Sequence, residues 1–238
     1  MTEEHNAFGQ PIGPSLNGWT ERPFPPLAPI RGRYCSLELL NADRHATDLF
    51  AAYAEAPDGR DWTYMFVGPF TSLSDYTAYL RTEAVKRDPQ HFAIIDAASG
   101  KPVGTAALMR IDPVHGVIEV GHIAYSPRLK RSRAGTEAMF LLMTRVFDEL
   151  KYRRFEWKCD SLNTPSRRAA ERYGFAYEGT FRQAVVYKGR NRDTAWYAMT
   201  DRDWPVVRTA MEQWLSEDNF DSEGGQRRSL REFRSEIE

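Results

Sequence analysis

Residues 119–175 constrain the fold more than any other stretch of this chain. A strand alternates over 117–125 and stops at Ser126-Pro127. A compact basic loop follows, Leu129-Lys130-Arg131-Ser132-Arg133-Ala134-Gly135, and a helix opens at Thr136-Glu137-Ala138-Met139. Apolar side chains at Ala138, Met139, Leu141, Leu142, Val146, Phe147 and Leu150 give that helix, over 136–150, a nearly complete apolar face, as a helix covering a sheet requires. A second strand over 154–159 leads to Asn163-Thr164-Pro165-Ser166 and a helix ending at Tyr173-Gly174-Phe175, with Pro165 in its first turn and Gly174 as its stop. A helix crossing between two strands makes them parallel neighbours in one sheet, whereas short turns elsewhere make antiparallel hairpins. The same unit delivers the chain to a cationic loop at a helix N-terminus, where loop amides and the helix dipole both favour an anion. The ligand expected there carries phosphate.

The remaining segments fit around this unit. Residues 1–30 are rich in Pro, Gly and Asn and read as an extended arm lying on the domain, with Trp19 and Phe24 as pins. A strand over 33–40 precedes a helix over 44–53, for which Asp43 is the expected N-cap, and a further helix covers 72–87. Strands over 91–96 and 103–111 form a hairpin. Three last strands, over 175–181, 183–188 and 193–200, lead to a closing helix over 201–215, and residues 216–238 read as a polar tail. The predicted domain therefore spans 31–215. Its fold class is α+β, a mixed, mostly antiparallel central sheet with helices on both faces.

A net charge of -1 gives no global reason to bind nucleic acid. The two cysteines, Cys35 and Cys159, match no metal or redox spacing, so no metal site is expected and both read as buried thiols of a reducing compartment. No apolar run is long enough for a membrane span, and the polar, acidic N-terminus does not resemble a signal peptide. A soluble cytoplasmic protein is the expectation. Exposed sheet edges and the tail are compatible with a homodimer.

With these residues in hand, the chain resembles the GNAT acyltransferase superfamily, and within it the branch of ribosomal-protein N-terminal acetyltransferases. The resemblance covers roughly residues 31 to 205. It rests on Thr136-Glu137-Ala138, on Asn163-x-x-Ser166 followed by Tyr173-Gly174-Phe175, and on Glu178-Gly179-x-x-Arg182 with Gly189 and Asp193. The loop departs from the family pattern. Arg133 stands where the first Gly is usual and Arg131 where another often stands, while the last small residue, Gly135, is kept.

The resemblance implies an acetyl-CoA-dependent N-acetyltransferase that moves the acetyl group directly to a primary amine in a ternary complex. The acceptor would be a protein N-terminus or a small metabolite. Glu119 is the implied base and Ser166 the implied proton donor to the CoA thiolate. The backbone from Arg131 to Thr136, through Ser132, Arg133, Ala134 and Gly135, would receive the pyrophosphate, with charge from Lys130, Arg131 and Arg133. Ile123, Ala124 and Tyr125 would meet the pantetheine arm, Asn163 would bond it, and Arg168 would reach the 3′-phosphate. Trp62, Tyr64 and Phe66, with Tyr187 from the last hairpin, form the expected acceptor wall; Arg190 and Arg192 lie in the same hairpin. His122, three residues after Glu119 on a regular strand, would face the other way. Two further readings share these residues: a non-catalytic acyl-CoA-binding module, motivated by the altered loop, and an acyltransferase using a bulkier donor such as succinyl-CoA.

Overall fold

Alternating apolar positions and turn residues divide the chain into short strands and amphipathic helices, which the structure, a computed structural model, describes over residues 4–237. In the arm, β1 (Glu4–His5) pairs with β2 (Pro11–Ile12). The main body then runs β3 (Ile30–Arg31), β4 (Cys35–Leu39), α1 (Ala42–Ala54), α2 (Leu73–Ala84), β5 (Gln90–Asp96), β6 (Pro102–Asp112) and β7 (Val117–Tyr125). It continues with α3 (Arg133–Thr144), β8 (Arg154–Asp160), α4 (Thr164–Arg172), β9 (Ala176–Tyr187), β10 (Arg190–Thr200), α5 (Trp204–Leu215) and α6 (Leu230–Ile237).

Eight strands form one sheet in the order β3-β4-β5-β6-β7-β8-β10-β9. Only the β7–β8 neighbours are parallel, because α3 carries the chain across between them. Alternation along β5 shows the two faces. Phe92 and Ile94 join the large core under α3 and α5, with Met139, Leu142 and Met211. Ala93 points the other way, into a smaller cluster with Leu49, Tyr76 and Leu80 of α1 and α2.

Several boundaries differ from the sequence expectation. Asn41, not Asp43, caps α1: its side chain accepts from the Arg44 amide at 3.0 Å, while Asp43 pairs with Arg81. The helix after the basic loop begins at Arg133 because Ser132 is its N-cap, and it passes into a π-turn over Arg145–Glu149. The stretch expected as two strands after Gly174 is one, β9, with Gln183 at φ 52 accommodating the irregularity.

The arm is fixed at Trp19. Its Nε1 donates to the Val114 carbonyl at 3.0 Å, and its ring lies where a side chain at Gly116 would be, 2.6 Å from a Cβ. Phe24 lies under the Arg87 guanidinium at 4.7 Å. The segment expected as a polar tail is folded: Phe220, Leu230 and Phe233 are buried, and α6 packs on α5. Apolar residues spaced that widely leave no periodic signal in a polar stretch.

Candidate active site

The site begins where β7 and β8 part. Their pairing covers only Val117–Val120 against Arg154–Trp157. Beyond it β7 is bent by a bulge: the β6–β7 register shifts between Thr105 and Ala107, and His122 sits at φ 48. The strands open onto a cavity of about 1320 Å³. Backbone at residues 121–125 faces that opening with no strand beside it on the β8 side. Ile123, Ala124 and Tyr125 all line the cavity.

At one end lies the basic loop. The amides of Leu129 and Lys130 both donate to the Ser126 carbonyl at 3.0 Å, which tightens the turn after Pro127. Ser132 Oγ then accepts from the Gly135 amide at 2.9 Å. A side chain at Gly135 would place its Cβ 2.5 Å from the Leu129 carbonyl oxygen, so this close approach explains why the last small residue is needed. Tyr125 and Tyr173 donate their hydroxyls to the Gly135 carbonyl at 3.1 and 3.4 Å, tying the helix start to β7 and to the end of α4.

Of the expected phosphate-binding amides, those of Gly135 and Thr136 already bond Ser132. Among the described hydrogen bonds none takes the amides of Arg131, Arg133 or Ala134, which leaves three donors at the positive end of α3. The Ala134 side chain itself belongs to the core.

The charges are divided differently from the sequence expectation. Lys130 is paired with Asp61 at 2.5 Å, closing the cavity mouth rather than standing free for phosphate. Arg133 stacks on Phe220 at 3.7 Å and on Tyr34 at 5.2 Å, so it anchors the C-terminal segment. Arg131 is exposed, lines the cavity and adopts φ 58, the left-handed conformation that a Gly would supply more easily. Arg168 points to solvent outside the cavity lining; Arg172, one turn further on, lines the cavity instead and donates to Thr136 Oγ1 at 3.2 Å. Sequence reasoning missed Arg172 because both arginines lie on one short polar helix.

At the centre Glu119 is only 4% exposed. It faces Glu156 across the β7–β8 pair, and Lys158 Nζ lies between them, 2.8 Å from Glu119 and 2.7 Å from Glu156. Arg110 Nε is 3.4 Å from the Glu119 carboxylate. Burial raises the Glu119 pKa above the ordinary carboxylate value, against the opposing pull of Lys158 and Arg110. Lys158 also lies over the Trp196 ring at 3.8 Å. The alternation Glu156-x-Lys158 was a visible signal for this cluster, but only the β7–β8 register supplies its third member.

His122 corrects a geometric expectation. Glu119 and Gly121 share a face, and Gly121 is opposite Ala107, which is opposite His91. The His122 ring meets the His91 ring, centroids 4.8 Å apart, so the bulge has turned His122 onto the Glu119 face. Burial pushes the His122 pKa down, favouring the neutral imidazole.

Asn163 caps α4; its side chain accepts from the Ser166 amide at 3.2 Å. Ser166 Oγ lines the cavity and accepts a hydrogen bond from Trp157 Nε1 at 3.0 Å. Trp is a donor only, so the serine retains its own hydrogen for a second acceptor. Cys159 is raised by burial and remains a neutral thiol.

The far end is aromatic. Trp62 packs edge-on against Tyr53 and Phe70, joining the small core to the cavity wall. Tyr64 and Phe66 also line the cavity. Tyr187 does not: it stands beside Phe66 at 5.5 Å and donates to Asp160 at 2.8 Å, supporting the wall from behind. Among the described residues no group of three or more His, Cys, Asp or Glu side chains is placed to hold a metal ion, and no helix is long and apolar enough to cross a membrane.

Comparison with known proteins shows the family and the fold. A family model described as Acetyltransferase (GNAT) domain matches residues 36–176. A solved GCN5-related N-acetyltransferase from Brucella melitensis is 49% identical with a TM-score of 0.91, covering 92% of this chain and 100% of that chain. The Bacillus licheniformis "Uncharacterized N-acetyltransferase p20" is 26% identical over 175 residues, 71% of this chain and 94% of its own. A solved Salmonella typhimurium acetyl transferase, described as modifying the N-terminal serine of a 50S ribosomal subunit protein, shares the fold at 19% identity and a TM-score of 0.59, covering 73% of this chain and 99% of that chain.

Proposed function

We propose that this chain, which belongs to the acetyltransferase (GNAT) family and is an N-acetyltransferase, takes its acetyl group from acetyl-CoA and passes it directly to a primary amine held in the same cavity. The observation that carries this reading is the parting of β7 from β8 into one cavity. It joins the Arg131 and Arg133 positions at the α3 N-terminus to Glu119, Ser166 and the aromatic wall. A phosphate-bearing cofactor fits the loop end, where the amides of Arg131 and Arg133 have no partner among the described hydrogen bonds. Bound acetyl-CoA supplies a thioester whose acetyl group is transferred to the amine.

The chain's own residues then have separate tasks. The Arg131, Arg133 and Ala134 amides hold the pyrophosphate, with Arg131 and Arg172 as the nearby charges. The segment Ile123, Ala124 and Tyr125 of β7, which has no strand beside it on the β8 side, aligns the pantetheine arm. Glu119, with its pKa raised, accepts the amine proton directly or through water. Ser166, held by Trp157, delivers its hydrogen to the leaving thiolate. No acyl-enzyme is needed when donor and amine are held face to face. The acceptor is a small amine or a protein N-terminus, the latter supported by what the Salmonella relative is described as modifying.

Calorimetric titration with acetyl-CoA and with CoA tests the reading. Micromolar binding is expected, and a folded protein that binds neither would overturn it. Arg131→Glu is expected to weaken CoA binding by about 1.5–3 kcal/mol, the worth of one charge-assisted contact; unchanged affinity would remove Arg131 from the phosphate site. Ser166→Ala is expected to lower kcat by about 10²–10⁴-fold while CoA affinity stays within a few-fold. Full turnover in that variant would reject the proton-donor role.

A further inference from the structure

The aromatic end of the cavity contains a charge that the transfer chemistry does not use. Arg192, on β10, is 7% exposed and lines the cavity. Its Nε donates to Thr194 Oγ1 at 3.2 Å, and its guanidinium lies over the Phe66 ring at 5.2 Å and the Tyr187 ring at 5.9 Å. Among the described residues no carboxylate pairs with it. Asp160 is the nearby buried acid, and its carboxylate accepts from Tyr187 at 2.8 Å and from the Leu162 amide at 2.8 Å without reaching Arg192 in an ion pair. A buried guanidinium without a counter-ion is costly, so a site that keeps one is built for an anion that arrives. Its terminal nitrogens have no hydrogen-bond partner among the described residues, and the paired donors of a guanidinium suit a planar carboxylate held by two parallel bonds.

The Tyr64–Phe66 wall and the β9–β10 hairpin meet at this point, whereas the phosphate loop lies at the α3 end of the same cavity. We propose that the acetyl acceptor is a small amine that also carries a carboxylate, an amino acid in chemical class, and that Arg192 binds that carboxylate while the amine faces Glu119. The inference rests on the acetyl-transfer reading above and narrows its acceptor. One guanidinium without a paired carboxylate, set among aromatic walls, favours a monoanion bearing an apolar or aromatic body over a phosphate.

The test uses matched pairs that differ only in the carboxylate: phenylalanine against 2-phenylethylamine, and leucine against isoamylamine, each with acetyl-CoA. Binding of the N-acetylated products in the presence of CoA is measured by calorimetry alongside turnover. The wild type is expected to prefer the acids in both readouts. In Arg192→Gln the ratio of acid to amine in kcat/KM is expected to fall about 10- to 150-fold, the factor corresponding to one lost charge-assisted contact. Arg192→Lys, which keeps charge but loses the planar fork, is expected to recover part of that ratio and serves if the Gln variant does not fold. Absence of any acid preference, in turnover and in product binding, would overturn the proposal. If acetyl-CoA still binds in that case, the transferase reading stands; if it does not, both fall. A preference for succinyl-CoA over acetyl-CoA that disappears in Arg192→Gln would also overturn it, because Arg192 would then read the donor.

Discussion

Glu119→Gln is expected to lower kcat by about 10²–10⁴-fold, the usual contribution of a positioned general base, and to remove the acid limb of the kcat–pH profile. The substitution keeps the shape of the side chain and removes its charge and its ability to take a proton. In the wild type, burial holds the carboxyl pKa above its ordinary value, so the base is lost by protonation as pH falls through that raised pKa. The rate therefore rises with pH across that limb, which sits above the range of an exposed glutamate. The profile is best read in kcat, which reports the complex with substrates bound and avoids ionisation of the free amine. Lys158 keeps Glu156 at 2.7 Å in the variant, so its charge is not stranded, and CoA affinity is the control for folding. Survival of the acid limb in a folded variant would show that another group takes the proton. His122, turned onto the same face by the bulge, would be the first to examine.

The second large effect is on stability. Glu137→Ala is expected to destabilise the protein by about 3–5 kcal/mol, because three amides lose their acceptor at about 1–3 kcal/mol for each one that is buried. For a chain of this size that corresponds to a drop in Tm of roughly 6–20 °C. The Glu137 carboxylate is buried one turn into α3 and accepts from three consecutive amides, those of Arg33, Tyr34 and Cys35, at 2.9, 2.6 and 2.8 Å. Those amides lie in the connection into β4 and, in the variant, would lose their shared acceptor, the Cys35 amide in a buried position and the other two in part-buried ones. A side chain on Gly32 would put its Cβ 2.5 Å from the Glu137 carboxylate, so no larger residue fills the gap. Glu137→Gln, which keeps one acceptor oxygen, should lose less. An unchanged Tm in the Ala variant, by calorimetry or circular dichroism, would mean that the link between the sheet edge and the phosphate loop is not what holds α3 in place.

The contrast between these two residues shows what could be read locally. Glu119 was visible as a candidate because it stands on an alternating strand just before a loop of unusual charge. Glu137 was visible only as part of a helix start, since its three partners lie more than a hundred positions upstream. The same limit applies to the loop. Ser132 as cap and Gly135 as a close-approach residue involve neighbours within a few positions. The diversion of Arg133 onto Phe220 and of Lys130 onto Asp61 depends on segments far away in sequence.

By itself, the sequence determined the mixed sheet, the single crossover, the helix over it and the basic loop at its start, since periodicity, caps and turns depend on residues within a turn or two of one another. Tertiary structure alone decided which face His122 takes, which arginines are free to meet phosphate, and that Lys158 and Glu156 surround Glu119. Those outcomes follow from a one-residue bulge, from strand register and from stacking against the folded C-terminal segment. Each of these depends on contacts between distant segments, for which local patterning carries no signal.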